Sequence, residues 1–266
     1  MAITVHSKDG TPIAVDRLGT GPAVILVDGA LCHRKMGPSE PLAKQLAGRF
    51  TVFTYDRRGR GESGNTHPYA IEREVEDLQA VIDFAGGSAL ACGVSSGAVL
   101  ALEAANRGLA IRKLALYEAP FIVDDTRTPL EPDYLSKLKT MIAQDQRGSA
   151  VKFFMKAVQV PGIFVFLMSV TPAWSKLKAT APTLVHDLTI MDGYQRGQPL
   201  LPGRWSGVHV PTLVIDGGKS PAWMRNAQRA LAAVVAGATT RTLPGQTHMV
   251  KPQVLALALV EFFGEP

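Results

Sequence analysis

Ser95 stands at the centre of Gly93-Val94-Ser95-Ser96-Gly97. The pattern Gly-x-Ser-x-Gly uses common residues and says little alone. Its surroundings change that, because a short apolar run precedes it and a helical pattern follows it. A strand that turns directly into a helix forces the central serine into a strained backbone and projects its Oγ outwards. The residues two before and two after must then be tiny, or strand and helix collide. Gly93 and Gly97 meet that need, and Ala98 keeps the helix start slim. The helix N-terminus also presents free N–H groups to developing negative charge, that of Ser96 first among them. A serine hydroxyl becomes a nucleophile only beside a base. Of six histidines, His248 has the most suitable setting: Leu243-Pro244-Gly245-Gln246-Thr247-His248-Met249 joins the last strand to the last helix. Such a loop lies at the carboxyl edge of a sheet, where the ring can reach Ser95 Oγ. His33 follows the third strand and is placed to border a pocket, whereas His6, His67, His186 and His209 have no comparable setting. The competing readings are a structural glycine turn with an incidental serine, and a surface histidine.

These residues need a scaffold, and the chain alternates short β-branched runs with helical patterns, the signature of a mostly parallel sheet covered by helices. Ile3–His6 and Ile13–Arg17 read as opening strands around the turn Lys8-Asp9-Gly10. Ala23–Asp28 and Phe50–Tyr55 read as strands, with a helix over Pro41–Gly48 between them. Glu72–Phe84 carries Val75, Leu78, Val81 and Ile82 at helical spacing and ends at Gly86-Gly87. Ser88–Cys92 is the strand before the serine turn, Ser96–Asn106 the helix after it, and Ile111–Tyr117 the next strand. The rhythm then breaks. Residues 124–207 are proline-dotted and helical in patches, and read as a helical cap inserted over the carboxyl edge of a core formed by 1–123 and 208–266. Strands at Thr212–Ile215 and Thr239–Leu243 and helices at Trp223–Val235 and Gln253–Phe263 complete the core. Phe153, Phe154, Met155, Ile163, Phe164, Phe166, Leu167, Met168 and Trp174 make the cap apolar, and some of this set is expected to line a substrate pocket.

Composition bounds the rest. A chain of 266 residues can bury a substantial core without disulfides or metals, and its two cysteines make no disulfide framework. The net charge of +5 is scattered, so no nucleic-acid partner is expected. The most apolar stretch, 157–170, is too short to span a membrane and contains Pro161-Gly162, and the N-terminus has no signal-peptide pattern. No membrane partner and a cytoplasmic location are the expectations.

Over essentially its whole length the chain resembles the α/β-hydrolase superfamily. The segments that carry the resemblance are the turn around Ser95, the late His248, the order of elements and the cap. Val27-Asp28-Gly29-Ala30-Leu31, Tyr55-Asp56-Arg57-Arg58-Gly59-Arg60-Gly61-Glu62-Ser63 and Tyr117-Glu118-Ala119-Pro120 are similar to those of a bacterial subgroup of uncharacterised serine hydrolases. The resemblance implies an α/β fold, His248 as base, and a second oxyanion donor from the loop after the third strand, the Ala30 N–H. That loop reads Asp28-Gly29 where the family usually has His-Gly, and an acidic group there is unhelpful unless it points away or is paired. The usual acid after the seventh strand is also missing, since the turn reads Gly217-Gly218-Lys219-Ser220-Pro221. A known family alternative puts the acid after the sixth strand, where this chain has Glu118. Glu118 is preferred over Asp216, with Asp124, Asp125 or no acid as further options. The arginines of 57–60 are read as a structural corner rather than a phosphate site.

The expected function is cleavage of a carboxylic ester or lactone of a moderately hydrophobic small molecule through an acyl-enzyme on Ser95. His248 and Glu118 complete the triad, and the N–H groups of Ala30 and Ser96 form the oxyanion hole. The alternatives are a lyase, cyclase or cofactor-free oxygenase on the same fold, or a non-catalytic ligand-binding protein. No metal or organic cofactor is expected, and the oligomeric state is left open, a homodimer included.

Overall fold

The computed structural model describes residues 3–264. Along the chain run β1 (Ile3–His6), β2 (Pro12–Leu18), β3 (Ala23–Val27), α1 (Ser39–Leu46), β4 (Thr51–Tyr55), α2 (Ile71–Phe84), β5 (Ala89–Val94), α3 (Ser96–Asn106) and β6 (Ile111–Tyr117). Then come α4 (Tyr134–Ala143), α5 (Arg147–Ala157), α6 (Gly162–Ser169), α7 (Ala173–Thr180), a 3₁₀ turn (Ala181–Thr183) and α8 (Leu184–Ile190). The chain closes with β7 (Thr212–Gly217), α9 (Ala222–Val234), β8 (Thr239–Leu243) and α10 (Pro252–Gly264).

The eight strands form one sheet in the order β1-β2-β4-β3-β5-β6-β7-β8. The pairs β1–β2 and β2–β4 are antiparallel, and every later pair is parallel. The α/β class expected from the alternating pattern is the one observed. Successive side chains of a strand face opposite ways, so a central strand must be apolar throughout. In β3, Val24 and Leu26 join Leu42 and Leu46 of α1 and Leu255 and Leu259 of α10. Ile25 and Val27 turn to the other face, against Leu78 and Ile82 of α2 and Val99 and Leu102 of α3. The two cores thus lie on either side of the sheet.

Parallel strands end on the same side, so β3, β4, β5, β6, β7 and β8 deliver their C-terminal loops to one edge. The helices α4–α8 sit between β6 and β7 in the chain, and α8 contacts α2 and α3. Their attachment is uneven. Helix α8 buries Leu184, His186, Asp187, Leu188 and Ile190, whereas α6 buries only Val165. Ile163, Phe164, Phe166 and Leu167 of α6 are exposed. No helix among the described residues is long and apolar enough to cross a membrane.

Candidate active site

The turn from β5 into α3 is as tight as its glycines require. A Cβ on Gly97 would lie 2.2 Å from the Val27 carbonyl oxygen, and one on Gly93 would lie 2.4 Å from that of Gly97. Between them Ser95 has φ 57° and ψ −127°, a conformation that L side chains rarely adopt. The strain is held by a ladder bond from the Ser95 N–H to the Tyr117 carbonyl, 2.9 Å. Ser95 remains partly exposed at the head of α3 and lines a cavity of about 290 Å³ together with Ala30, Ser96 and His248.

Glu118 occupies the position immediately after β6. Its backbone is also left-handed (φ 48°), and its N–H donates to the Ile215 carbonyl. This turn aims a fully buried carboxylate along the sheet edge. Oε1 accepts the Gly217 N–H at 2.8 Å, and Oε2 lies 2.8 Å from His248 Nδ1. His248 is itself half-exposed. Its loop is tied down by Tyr117, whose hydroxyl donates to the Thr247 carbonyl at 2.6 Å, and by the Lys219 N–H donating to Gln246 O at 2.8 Å. A proton on Nδ1 shared with Glu118 leaves Nε2 as the other ring nitrogen, on a side chain that borders the cavity. No direct hydrogen bond joins Ser95 Oγ to the ring among the described residues; both groups border the same cavity.

The other acids do not meet His248. Asp216 is buried with Oδ1 unpartnered, Asp124 closes a surface turn with Thr126 and binds Asn226, and Asp125 is exposed. The turn after β7 is occupied by Ser220, whose N–H bonds back to Gly217 O. Glu118 reaches the same loop from the neighbouring strand, through the Gly217 N–H. The carboxylate that meets the His248 loop thus arrives from β6 and not from β7.

The N–H groups of Ala30 and Ser96 have no hydrogen-bond partner among the described residues. The loop that carries Ala30 is pressed on the serine: a Cβ on Gly29 would be 2.9 Å from Ser95 Cβ. The arginine corner holds it there. Arg60 donates to the Gly29 carbonyl at 2.6 Å and to Asp187 of α8 at 2.7 Å. Arg57 pairs with Glu74 through two bonds and with Asp187 at 2.8 Å, and its Nη1 also reaches the Asp28 carbonyl and Ser96 Oγ at 3.3 Å. Arg58 pairs with Asp77 and Asp9. Burial pushes the Asp187 carboxyl up, but Arg60 and Arg57 reverse this and hold it below the usual carboxylate range. The guanidiniums are thus consumed by internal carboxylates, and the corner is structural.

Asp28 does not line the cavity; its Oδ2 faces Gly37 and Cys32. Burial raises its pKa to about 7, against the pull of the Ser39 hydroxyl, Arg60 and Arg57. His33 is absent from the cavity wall, and His186 is stacked on Tyr69 and pushed by burial to about 4. Of the nine apolar cap residues, Phe154 lines the cavity; Phe153, Met155 and Trp174 pack against the core instead. Sequence reasoning missed Arg127, Tyr134, Leu188, Met191 and Trp223 as cavity residues. Their positions depend on how the cap folds back, which no local pattern encodes.

Residues 19–256 match the model of the alpha/beta hydrolase family. An alpha/beta hydrolase from Sphaerobacter thermophilus is 49% identical, with 98% of this chain and 100% of that one covered and a TM-score of 0.90. An esterase from Exiguobacterium antarcticum (20% identity, all of both chains, TM-score 0.73) shares the fold. So does the enol-lactonase from Burkholderia xenovorans (21% identity, 99% and 100% covered, TM-score 0.69). From its sheet order, its serine turn and these matches, the chain belongs to the alpha/beta hydrolase family.

Proposed function

We propose that the protein is a serine hydrolase that cleaves a carboxylic ester or lactone through an acyl-enzyme on Ser95. The observation that carries this reading is the 2.8 Å contact between Glu118 Oε2 and His248 Nδ1, made at the rim of the cavity that Ser95 enters. In the proposed reaction, Ser95 Oγ attacks the carbonyl carbon and passes its proton to His248 Nε2. Glu118 fixes the tautomer and stabilises the imidazolium that forms. The free N–H groups of Ala30 and Ser96 bind the oxyanion, and His248 then delivers the proton to the leaving alcohol. Water, deprotonated by the same ring, releases the acid. The largely apolar wall suits a moderately hydrophobic substrate. The shared fold with an esterase and an enol-lactonase is consistent with this chemistry.

A fluorophosphonate probe tests the reading. Stoichiometric labelling that disappears in Ser95→Ala is expected; failure of the folded wild-type protein to label would refute it. On any ester turned over, Glu118→Gln should lower kcat about 10³–10⁴-fold, because the amide presents the wrong group to Nδ1–H. Asp216→Asn should stay within about threefold of wild type, and the reverse outcome would move the acid to Asp216.

A further inference from the structure

Five arginines are buried in the described structure: Arg34, Arg57, Arg58, Arg60 and Arg127. Four have carboxylate partners: Arg34 has Asp16, Asp56 and Glu62, and the other three share Glu74, Asp77, Asp9 and Asp187. Arg127 has none. It is 7% exposed and lies on the connection from β6 to α4, with its guanidinium stacked 3.9 Å above the Trp223 ring. One nitrogen donates to the Ala157 carbonyl, which leaves most of its five donors unused. Burial pulls its pKa below the ordinary arginine value, with Tyr134 acting the other way and no carboxylate doing so.

Arg127 also differs from the other four in place, since it alone among them lines the cavity that holds Ser95 and His248. Beside it, Trp223 is 8% exposed and its Nε1–H is buried without a partner. Trp223 lines the same cavity. A buried cation without a counter-charge, next to an orphaned donor, is costly in an apo protein and matched by an anion. The planar guanidinium fork suits a carboxylate, which can take two parallel bonds from it.

We infer that the substrate carries a free carboxylate in addition to its scissile carbonyl, and that Arg127, stacked on the Trp223 ring, binds it. This rests on the hydrolase reading for the scissile group but not for the anion site itself. Ser95 and His248 are the reacting groups of this cavity and Arg127 its anion-binding group, and apolar side chains such as Leu130 and Phe154 line the same wall. Neutral esters meet the reacting groups only.

The test uses Ser95→Ala protein, which binds without turnover. Monomethyl glutarate, adipate and pimelate are titrated by calorimetry against their primary-amide counterparts, which keep the shape and lose the charge. At least one half-ester should bind 10-fold or more tightly than its amide. In Ser95→Ala/Arg127→Met, which keeps the stem on Trp223, that ratio should fall to about 1, and Arg127→Lys should restore part of it. Equal binding of acid and amide at every chain length, or a ratio that survives Arg127→Met, would overturn the inference. The acid–amide comparison needs no substitution at 127, so misfolding of the variant would not rescue the idea. Wild-type hydrolysis is followed in parallel. Binding that depends on Arg127 with no ester cleavage would refute the hydrolase reading alone, and cleavage indifferent to the carboxylate would refute the anion site alone.

Discussion

Replacing Asp28 by asparagine should stabilise the protein, and more so as the pH rises. The carboxyl is 2% exposed and its Oδ1 has no partner. Burial raises its pKa from 3.8 to about 7 in the folded chain, with Ser39, Arg60 and Arg57 acting against the rise and Asp56 with it. The folded state therefore holds the proton more tightly than the unfolded state. Stability from this group is fully present below pH 4 and is lost as pH climbs through 7. Each unit of separation corresponds to about 1.4 kcal/mol, so the full loss is about 4 kcal/mol. At pH 5 only the first unit or so has been lost. Asparagine is neutral throughout and carries no such dependence. Urea unfolding of both proteins at pH 5 and pH 8 measures the difference, and every group common to the two cancels in it. The advantage of Asp28→Asn over wild type should grow by about 3 kcal/mol between the two pH values. A constant difference would show that Asp28 is ionised at both and would refute the reasoning.

Two further outcomes follow from the packing around Ser95. Gly97→Ala places a methyl group 2.2 Å from the Val27 carbonyl oxygen, which is backbone and cannot yield. It should cost about 3 kcal/mol in urea unfolding, and a cost under about 1 kcal/mol would mean that β3 and α3 are not held together as described. Asp187→Asn removes the carboxylate that Arg57, Arg60 and Ser96 Oγ share. Stability should fall by about 3–5 kcal/mol because two buried guanidiniums lose their shared counter-charge, and kcat/KM should fall as the Gly29 loop loosens. Unchanged kinetics in a protein that still folds would show that Arg60 holds the loop without Asp187.

The parts of the site that were legible in the sequence are those set by short-range geometry. A serine between glycines at a strand–helix junction needs nothing from the rest of the chain to be recognised, because the glycines are demanded by contacts two residues away. The strands were legible for a related reason: a strand buried on both faces must be apolar at every position, as β3 is. Glu118 was legible as a position, one residue past a strand, but its partnership with His248 spans 130 residues and depends on the order of β6, β7 and β8. Arg127 was not legible at all. It stands in an ordinary polar stretch beside Asp124 and Asp125, and only the folded cap shows that neither acid pairs with it. The apolar cap set was legible only in part: Phe154 lines the cavity. Ile163, Phe164, Phe166 and Leu167 form the most hydrophobic helix of the cap, yet they face outwards rather than into the cavity.

That contrast bears on how the cavity can admit a substrate. Asp187 binds α8 to the two arginines that also hold the Ala30 and Ser96 loops, so α8 cannot move without disturbing the loops around Ser95. The side of the cap made by α5, α6 and α7 has no such attachment: α6 buries one residue, α7 buries Thr180, and α5 buries Ala150 and Val151. Segments with few buried contacts open at lower free energy than those anchored in the core. Phe154, Ala157 and Val158 belong to this lightly held side and border the cavity beside Arg127, which donates to the Ala157 carbonyl. A carboxylate bound at Arg127 would compete with that carbonyl for the guanidinium. The proposed anion site therefore lies on the lightly buried side of the cavity, and the proposed oxyanion donors on the side that Asp187 ties down.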